Sequence, residues 1–185
     1  MASQKKTRIL ILGGGFAGLH AAIHLDDTLA RDPDVEITLV NRDHFFLFTP
    51  MLHEVAARDL DLTNIVNPVR KLLKRINFFA GEVEAIDLER KIVTVSHGFD
   101  HHHHDIAYDH VVIGLGSITN FFNLGGLEQR ALTMKSLGDA IHLRNRLIAH
   151  LEEADTECCA DVRRPRLTFV VAGRVSPESK PSPAQ

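Results

Sequence analysis

Short apolar runs alternate along this chain with segments in which apolar residues recur every three or four positions. Apolar runs without polar alternation are typical of parallel strands buried on both faces, and the three-to-four spacing is typical of helices packed on such a sheet. The pattern predicts parallel strands at 9–12, 35–40, 76–79, 110–113 and 167–172. It predicts helices over 19–29 and 67–75, a short helix beginning at Thr49-Pro50, and a long helix from Ser136 to about Glu153.

Two other segments, 81–87 and 91–95, alternate between apolar and polar residues, as antiparallel strands with one exposed face do. The fold class is therefore α/β, with a parallel sheet plus a small antiparallel β-meander.

The connection over 96–105 contains four consecutive histidines, His101 to His104, flanked by two aspartates. These residue types are metal ligands, but consecutive residues of an extended chain cannot all point at one ion. No distant cysteine or histidine has a spacing that would complete a site. We therefore expect a solvent-exposed hairpin loop with adventitious metal affinity, and we assign no metal-binding residue.

The bulk composition excludes several classes of partner. A length of 185 residues fits one domain, or one domain and a piece of another. The net charge of −3 gives no electrostatic reason to expect a nucleic acid or an anionic membrane surface. No stretch approaches the length of a transmembrane segment. The two cysteines, Cys158 and Cys159, are adjacent, which excludes a disulfide framework, so we expect a reducing, cytoplasmic location.

The first predicted strand ends in glycines spaced as Gly13-x-Gly15-x-x-Gly18, immediately before the first predicted helix. Glycines in this position form a turn that binds the pyrophosphate of a dinucleotide at the helix N-terminus. Gly13 allows a sharp turn, Gly15 leaves the backbone open to a phosphate, and Gly18 lets the helix approach the sheet. The alternative is a tight turn without a ligand. The strand before the glycines, the helix after them and the second strand favour dinucleotide binding.

Three further features bear on a nucleotide site. Asn41 ends the second strand, where an acid normally accepts hydrogen bonds from the ribose hydroxyls. The Asn41 carbonyl is a weaker, uncharged acceptor; alternatively, Asn41 is only a turn residue. The apolar run 45–48 is either core or a wall for a flat aromatic ligand. Gly114 and Gly116 follow the strand 110–113, where glycine lets the backbone approach a ligand above the sheet.

Taken together, these motifs resemble the N-terminal, FAD-binding part of the type II (alternative) NADH:quinone oxidoreductases, relatives of the pyridine nucleotide-disulfide reductases. The resemblance spans 7–173 and is carried by Ile11-Leu12-Gly13-Gly14-Gly15-Phe16-Ala17-Gly18-Leu19, His44-Phe45-Phe46-Leu47-Phe48-Thr49-Pro50-Met51-Leu52, Gly81-Glu82-Val83 with Ile86-Asp87, Tyr108-Asp109-His110-Val111-Val112-Ile113-Gly114-Leu115-Gly116-Ser117, and Leu132-Thr133-Met134-Lys135-Ser136-Leu137. It implies a Rossmann-like FAD-binding fold, hydride uptake from NADH onto the flavin, and quinone as the electron acceptor.

The resemblance also implies where FAD would bind, but it assigns no catalytic residue. The pyrophosphate would lie over Gly13, Gly14, Gly15, Phe16, Ala17 and Gly18; Asn41 and Arg42 would lie near the adenosine ribose, Val83 against the adenine, Thr49 and Pro50 beside the flavin, and Gly116 near the cofactor. Asn41 departs from the family pattern, in which an acid is usual.

The C-terminal residues depart from the family pattern as well. In the family, the strand 167–172 opens a second glycine-rich turn, which binds NADH. Here a proline- and serine-rich tail follows Gly173 instead. The codons usually used for the tail residues can also be read in the frame that starts on each codon's third base. In that frame they are compatible with the peptide Ala-Gly-Phe-Ser-Gly-Val-Glu, which matches the second glycine-rich turn. Our hypothesis is that this chain is a frameshifted, truncated version of a longer enzyme. If the downstream coding DNA encodes no NADH-binding domain in the other frame, the hypothesis is refuted.

The expected organisation is a flexible N-terminus at 1–6, a partial FAD-binding domain at 7–165, the first strand of an otherwise missing NADH-binding domain at 166–173, and a disordered, frameshifted tail at 174–185. The fold would thus be incomplete at the C-terminus. Any membrane contact of the full-length family would be peripheral and would involve the missing C-terminal part.

Three functions remain as alternatives. The first is the FAD-binding part of an NADH dehydrogenase, inactive alone because nothing holds the nicotinamide against the flavin. The second is a non-catalytic FAD- or nucleotide-binding remnant. The third is a relative of sulfide:quinone oxidoreductase, which needs separated redox cysteines that the Cys158-Cys159 pair does not provide.

Overall fold

The computed structural model describes residues 6–172. In chain order the strands are β1 (Thr7–Leu12), β2 (Val35–Asn41), β3 (Phe45–Leu47), β4 (Val66–Pro68), β5 (Asn77–Ala80), β6 (Glu82–Asp87), β7 (Ile92–His97), β8 (His102–Ala107) and β9 (His110–Ile113). The helices are α1 (Phe16–Thr28), α2 (Leu52–Ala57), α3 (Val69–Leu72), α4 (Leu127–Arg130), α5 (Leu137–Thr156) and α6 (Ala160–Arg166). The predictions for 1–5 and 173–185 lie outside the described residues.

A four-stranded sheet in the order β5-β2-β1-β9 forms the centre of the fold, and all of its neighbouring strands are parallel. Leu12 is in register with Val40 on one side and with Ile113 on the other. The carboxyl ends of the three strands therefore meet at one edge of the sheet. An antiparallel meander, β6-β7-β8, forms a separate sheet. The predicted α/β class, with a parallel sheet and a small meander, is confirmed.

Both faces of the central sheet are covered, which explains why β1 is apolar without alternation. Leu10 and Leu12 pack with Val93 and Val95 of the meander. Ile11 faces the other way, and the core on that side is formed by Leu19, Ala22, Ile37, Leu39, Phe46, Val69, Leu73 and Ile76. The result is a three-layer arrangement of meander, sheet and helix.

The connection between β2 and β5 differs from its prediction. Residues 66–68 pair with β3 as a short antiparallel ribbon, so the predicted helix 67–75 shrinks to the four residues of α3. The short helix predicted to begin at Thr49-Pro50 instead begins as a 3-10 turn, Thr49–Met51, which leads into α2 without a side-chain cap.

The histidine run was predicted to be a solvent-exposed hairpin loop: all four histidines are exposed and His101 lies in the turn, but the prediction of a loop is wrong for the other three. His102, His103 and His104 belong to β8, where they extend the pairing with β7 and bring His102 opposite His97. The His97 and His104 rings contact Phe79, with centroids 5.5 Å and 5.6 Å away, so ring packing supports this end of the meander. Within 6–172, no three histidine, cysteine or acidic side chains are placed to share a metal ion.

The predicted strand at 167–172 is absent from the structure. Helix α6 continues through Pro165 to Arg166, and residues 167–172 have no regular structure. Val170 and Val171 are 87% and 97% exposed. The reason is that no described strand lies beside this apolar segment to satisfy its backbone groups. None of the helices in the described range is long and apolar enough to cross a bilayer.

Candidate nucleotide-binding site

The turn between β1 and α1 requires glycine at two positions for steric reasons. Gly13 has a φ of +93°, and a Cβ added there would lie 2.4 Å from the carbonyl oxygen of Gly114. A Cβ added at Gly18 would lie 1.8 Å from the carbonyl oxygen of Gly13. The turn is therefore pressed between the start of α1 and the end of β9, and a side chain at either position would force them apart.

Gly15 is different, because its surroundings are open. It is the N-cap of α1 with an ordinary φ of −76°, and no neighbouring atom lies within 4 Å of the place its Cβ would take. In the described structure no side chain caps this helix, and its first turn has no acidic residue. The first N–H groups of a helix lack intrahelical partners and carry its positive partial charge. The open space at Gly15 thus suits an anion such as a phosphate.

Asn41 lies directly beside the turn. Its Oδ1 accepts a hydrogen bond from the Gly14 backbone N–H at 2.7 Å, and its Nδ2 donates one to the Asp43 carbonyl at 2.8 Å. Its backbone carbonyl accepts a bond from the Gly81 N–H at 3.0 Å. Asn41 therefore joins the glycine turn, the end of β2 and the start of the meander.

An aromatic cluster lies at the start of α1. The Phe16 ring meets Phe46 edge-on at a centroid distance of 5.1 Å and Phe48 at 5.5 Å. Phe46 is buried in the core, whereas Phe16 and Phe48 are each 38% exposed. Phe46 and Leu47 thus pack into the core, as one of the two sequence interpretations expected, whereas Phe48 is exposed beside Phe16. Contact of this run with a flat ligand stays a prediction.

The remaining predicted site residues lie on four segments: directly after β2, on the 3-10 turn before α2, on β6 and after β9. The Arg42 side chain is 65% exposed and lies 3.5 Å from the Asp43 carboxylate. Val83 is half-buried in β6, close to the Gly81–Asn41 bond. Thr49 and Pro50 are exposed on their 3-10 turn, and Gly116, with a φ of +79°, is exposed beyond β9.

An open cavity of 960 Å³ lies beyond β9 and is lined by the loop that begins at Leu115 and by Glu128 and Gln129 of α4. Gly116 is the one lining residue that the sequence singled out as a ligand contact. Asn120 and Phe121 also line it, and no periodicity or motif spacing in the sequence marks them. Cys158 and Cys159 are exposed free thiols directly before α6. Because they are neighbours in the sequence, they do not form a pair of separated redox cysteines.

Comparison with known proteins identifies the family. The model of the pyridine nucleotide-disulphide oxidoreductases matches residues 7–164. A type II NADH:quinone oxidoreductase of Mycobacterium tuberculosis is 34% identical over 169 residues, which cover 90% of this chain and 34% of that protein. The mitochondrial external NADH-ubiquinone oxidoreductase 2 of Saccharomyces cerevisiae is 32% identical over 178 residues, covering 91% of this chain and 31% of that protein.

Solved structures agree with this fold. NDH2 of Plasmodium falciparum superposes with a TM-score of 0.75 at 23% identity, over 86% of this chain and 32% of that one. The sulfide:quinone oxidoreductase of Aquifex aeolicus does so with a TM-score of 0.66 at 25% identity, over 79% of this chain and 32% of that one. The chain thus spans a minor part of the length of each relative. It belongs to the pyridine nucleotide-disulphide oxidoreductase family, whose cofactor is FAD, and it is similar to the type II NADH:quinone oxidoreductases.

Proposed function

We propose that residues 7–165 are the FAD-binding part of an NADH dehydrogenase that reduces quinone. The observation that carries this proposal is the contrast among the three turn glycines. Gly13 and Gly18 are required by the protein's own packing, whereas Gly15 faces open space at an uncapped helix N-terminus. A ligand phosphate gives a reason for a glycine there that the protein's packing does not.

We assign each part of the dinucleotide to named residues. In our proposal the pyrophosphate lies over the turn, the adenosine ribose near Asn41 and Arg42, the adenine against Val83, and the flavin near Thr49, Pro50 and Gly116; the turn itself comprises Gly13, Gly14, Gly15, Phe16, Ala17 and Gly18. Bound FAD would supply the hydride- and electron-accepting chemistry. The chain's own residues bind and orient the cofactor, and Phe16 and Phe48 keep water from part of its surface.

We further propose that a polypeptide of only these 185 residues does not turn over NADH. The matched relatives are much longer, since the chain covers 34% and 31% of their lengths. Hydride transfer depends on holding two rings in contact, and such positioning contributes large rate factors. In this proposal 166–173 begins an NADH-binding domain and 174–185 is a frameshifted tail. NADH and quinone are the partners of the complete enzyme, which lies in the cytoplasm with peripheral membrane contact.

Two alternatives have weaker support. A non-catalytic nucleotide-binding remnant would share the glycine turn, so binding alone does not separate it from the first proposal. The sulfide:quinone oxidoreductase function is disfavoured, because the chain's two cysteines are adjacent and exposed.

Replacing Gly15 by valine tests the site. The open surroundings and φ of −76° let valine fit, so we expect a folded protein that has lost FAD binding because the side chain occupies the phosphate position. Gly138→Ala is the matched control, since a Cβ there meets only the Ser136 Oγ, at 3.7 Å. The flavin absorbance of the purified proteins measures the outcome. Retention of stoichiometric FAD by Gly15→Val would contradict the assignment.

The same wild-type preparation tests turnover. We expect a yellow protein whose flavin absorbance does not bleach when NADH is added without air. Bleaching at a catalytic rate would show that the 185 residues alone transfer hydride, contrary to our proposal.

A further inference from the structure

Asn41 occupies a position where an acid would accept hydrogen bonds from the ribose hydroxyls, but its contacts indicate a different role. Both ends of its side-chain amide already have partners in the protein: the Gly14 N–H at 2.7 Å and the Asp43 carbonyl at 2.8 Å. The side chain is half-buried and lies close against the turn, since a Cβ on Gly14 would come 2.8 Å from the Asn41 Cγ.

These two partners require an amide. The Gly14 N–H is a donor and the Asp43 carbonyl is an acceptor, so the group between them must accept on one side and donate on the other. A carboxylate would still accept from Gly14, but its second oxygen would face the carbonyl of Asp43 without a proton between them. The asparagine is thus matched to its surroundings and is not a weakened version of an acid.

The amide also extends the pairing of β1 with β2 by one residue. The Gly13 N–H donates to the Val40 backbone carbonyl at 2.8 Å, beyond the last paired residue of β1. The next N–H along the chain, that of Gly14, donates to the Asn41 side chain. Two successive bonds therefore hold the glycine turn against the end of β2.

We propose that Asn41 is a positioning residue that strengthens nucleotide binding by holding Gly14, and not by bonding to a ribose hydroxyl. The inference rests on the proposed FAD site and concerns how the turn is kept in its binding conformation. A loose turn must be ordered when the pyrophosphate binds, and that ordering weakens affinity. A fixed turn avoids this loss.

Hydrogen exchange in the ligand-free protein tests the positioning step. We expect slow exchange of the Gly14 amide in the wild type and at least tenfold faster exchange in Asn41→Ala, because the acceptor is gone. Asn77→Ala is the control, since Asn77 is an exposed asparagine of β5 whose side chain makes a hydrogen bond to Glu36, away from the glycine turn. Equal Gly14 exchange rates in the wild type and Asn41→Ala would overturn the proposal, whether or not the protein binds FAD.

Titration calorimetry with ADP and 2′-deoxy-ADP tests the route to binding. We expect the wild type to bind the two nucleotides within about twofold of each other, and Asn41→Ala to bind both about tenfold more weakly, the effect of one lost hydrogen bond. Asn41→Asp should bind ADP no more tightly than the wild type. Two results would overturn the proposal. One is that Asn41→Asp binds ADP more tightly than the wild type; the other is that the wild type binds 2′-deoxy-ADP tenfold more weakly than ADP while Asn41→Ala binds the two nucleotides equally. Absence of any ADP or FAD binding by the wild type would instead refute the FAD site itself.

Discussion

At the scale of single residues, the structure separates glycines that the fold needs from one that the protein's own packing does not require. A methyl group on Gly18 would overlap a backbone oxygen, which cannot move aside as a flexible side chain can. We therefore expect Gly18→Ala to lower the free energy of unfolding by about 2–4 kcal/mol, whereas Gly15→Ala should change it by less than about 1 kcal/mol. Urea denaturation followed by circular dichroism measures both. Similar losses in the two variants would show that the turn is packed differently.

The spacing of the turn glycines could be predicted from the sequence because their causes are local. A positive φ at Gly13 and a close approach at Gly18 both arise within the turn and its two flanking elements. The contact between Asn41 and Gly14 joins residues 27 positions apart, so no local pattern reveals it. The sequence showed only that a neutral residue stands where an acid is usual.

At the scale of elements, helix α5 begins with a capping box. The Ser136 Oγ accepts a bond from the Asp139 N–H at 3.1 Å, and the Asp139 carboxylate accepts one from the Ser136 N–H at 3.2 Å. We expect Ser136→Ala to lower the free energy of unfolding by about 1 kcal/mol, because one helix donor loses its partner. Chemical denaturation measures this. The conservative variant Ser136→Thr should retain most of the stability, and an equal loss there would contradict the capping explanation.

The same cap makes the stability depend on pH. Burial of Asp139 opposes its ionisation, but hydrogen bonds from Lys135, Thr133 and Ser136 outweigh this and hold the pKa of Asp139 below its ordinary value. A lowered pKa in the folded state stabilises the fold above the ordinary aspartate pKa of 3.8, and this stabilisation is lost as the pH falls through the folded pKa.

Asp139→Asn should therefore be less stable than the wild type at neutral pH, with a difference that shrinks as the pH is lowered below about 4. Denaturation of both proteins across this pH range measures the difference. A difference independent of pH would show that the charge of Asp139 does not contribute.

Elements with strong periodicity or continuous apolar runs agreed with prediction, whereas those decided by tertiary pairing did not. The helix from Ser136 and the four central strands follow from their patterns. His102 to His104 form a strand because β7 offers an edge to pair with, although their polarity suggested a loop. Residues 167–172 show the opposite error, since an apolar run without a neighbouring strand stays unpaired.

At the scale of the whole molecule, the carboxyl edge of the sheet is unevenly built. The end near β1 and β2 is tied together by the Asn41 bonds and lies over a buried core. The end beyond β9 is open: Leu115 is 51% exposed, Ile118 is 92% exposed, and the cavity there is lined by one loop and the short helix α4 that follows it. The parallel topology that produces this edge followed from the sequence, but the contrast between its two ends depends on contacts between distant segments.

This contrast predicts which half of FAD stabilises the described residues. The ADP half would meet the ordered turn, and the flavin half would meet exposed positions such as Thr49 and Gly116. A ligand at 100 times its Kd adds about 2.7 kcal/mol to the stability, which raises the Tm of a domain this size by roughly 5–11 °C. We expect ADP to produce most of the Tm shift that FAD produces. FMN, which lacks adenosine and the pyrophosphate, should shift the Tm by less than about 1 °C at equal concentration.

Differential scanning calorimetry of the wild type measures these Tm shifts, and Gly15→Val is the control that ADP should not stabilise. An FMN-induced Tm shift equal to that of ADP would show that the flavin half contributes as much binding energy as the ADP half, contrary to the prediction from the ordered glycine turn.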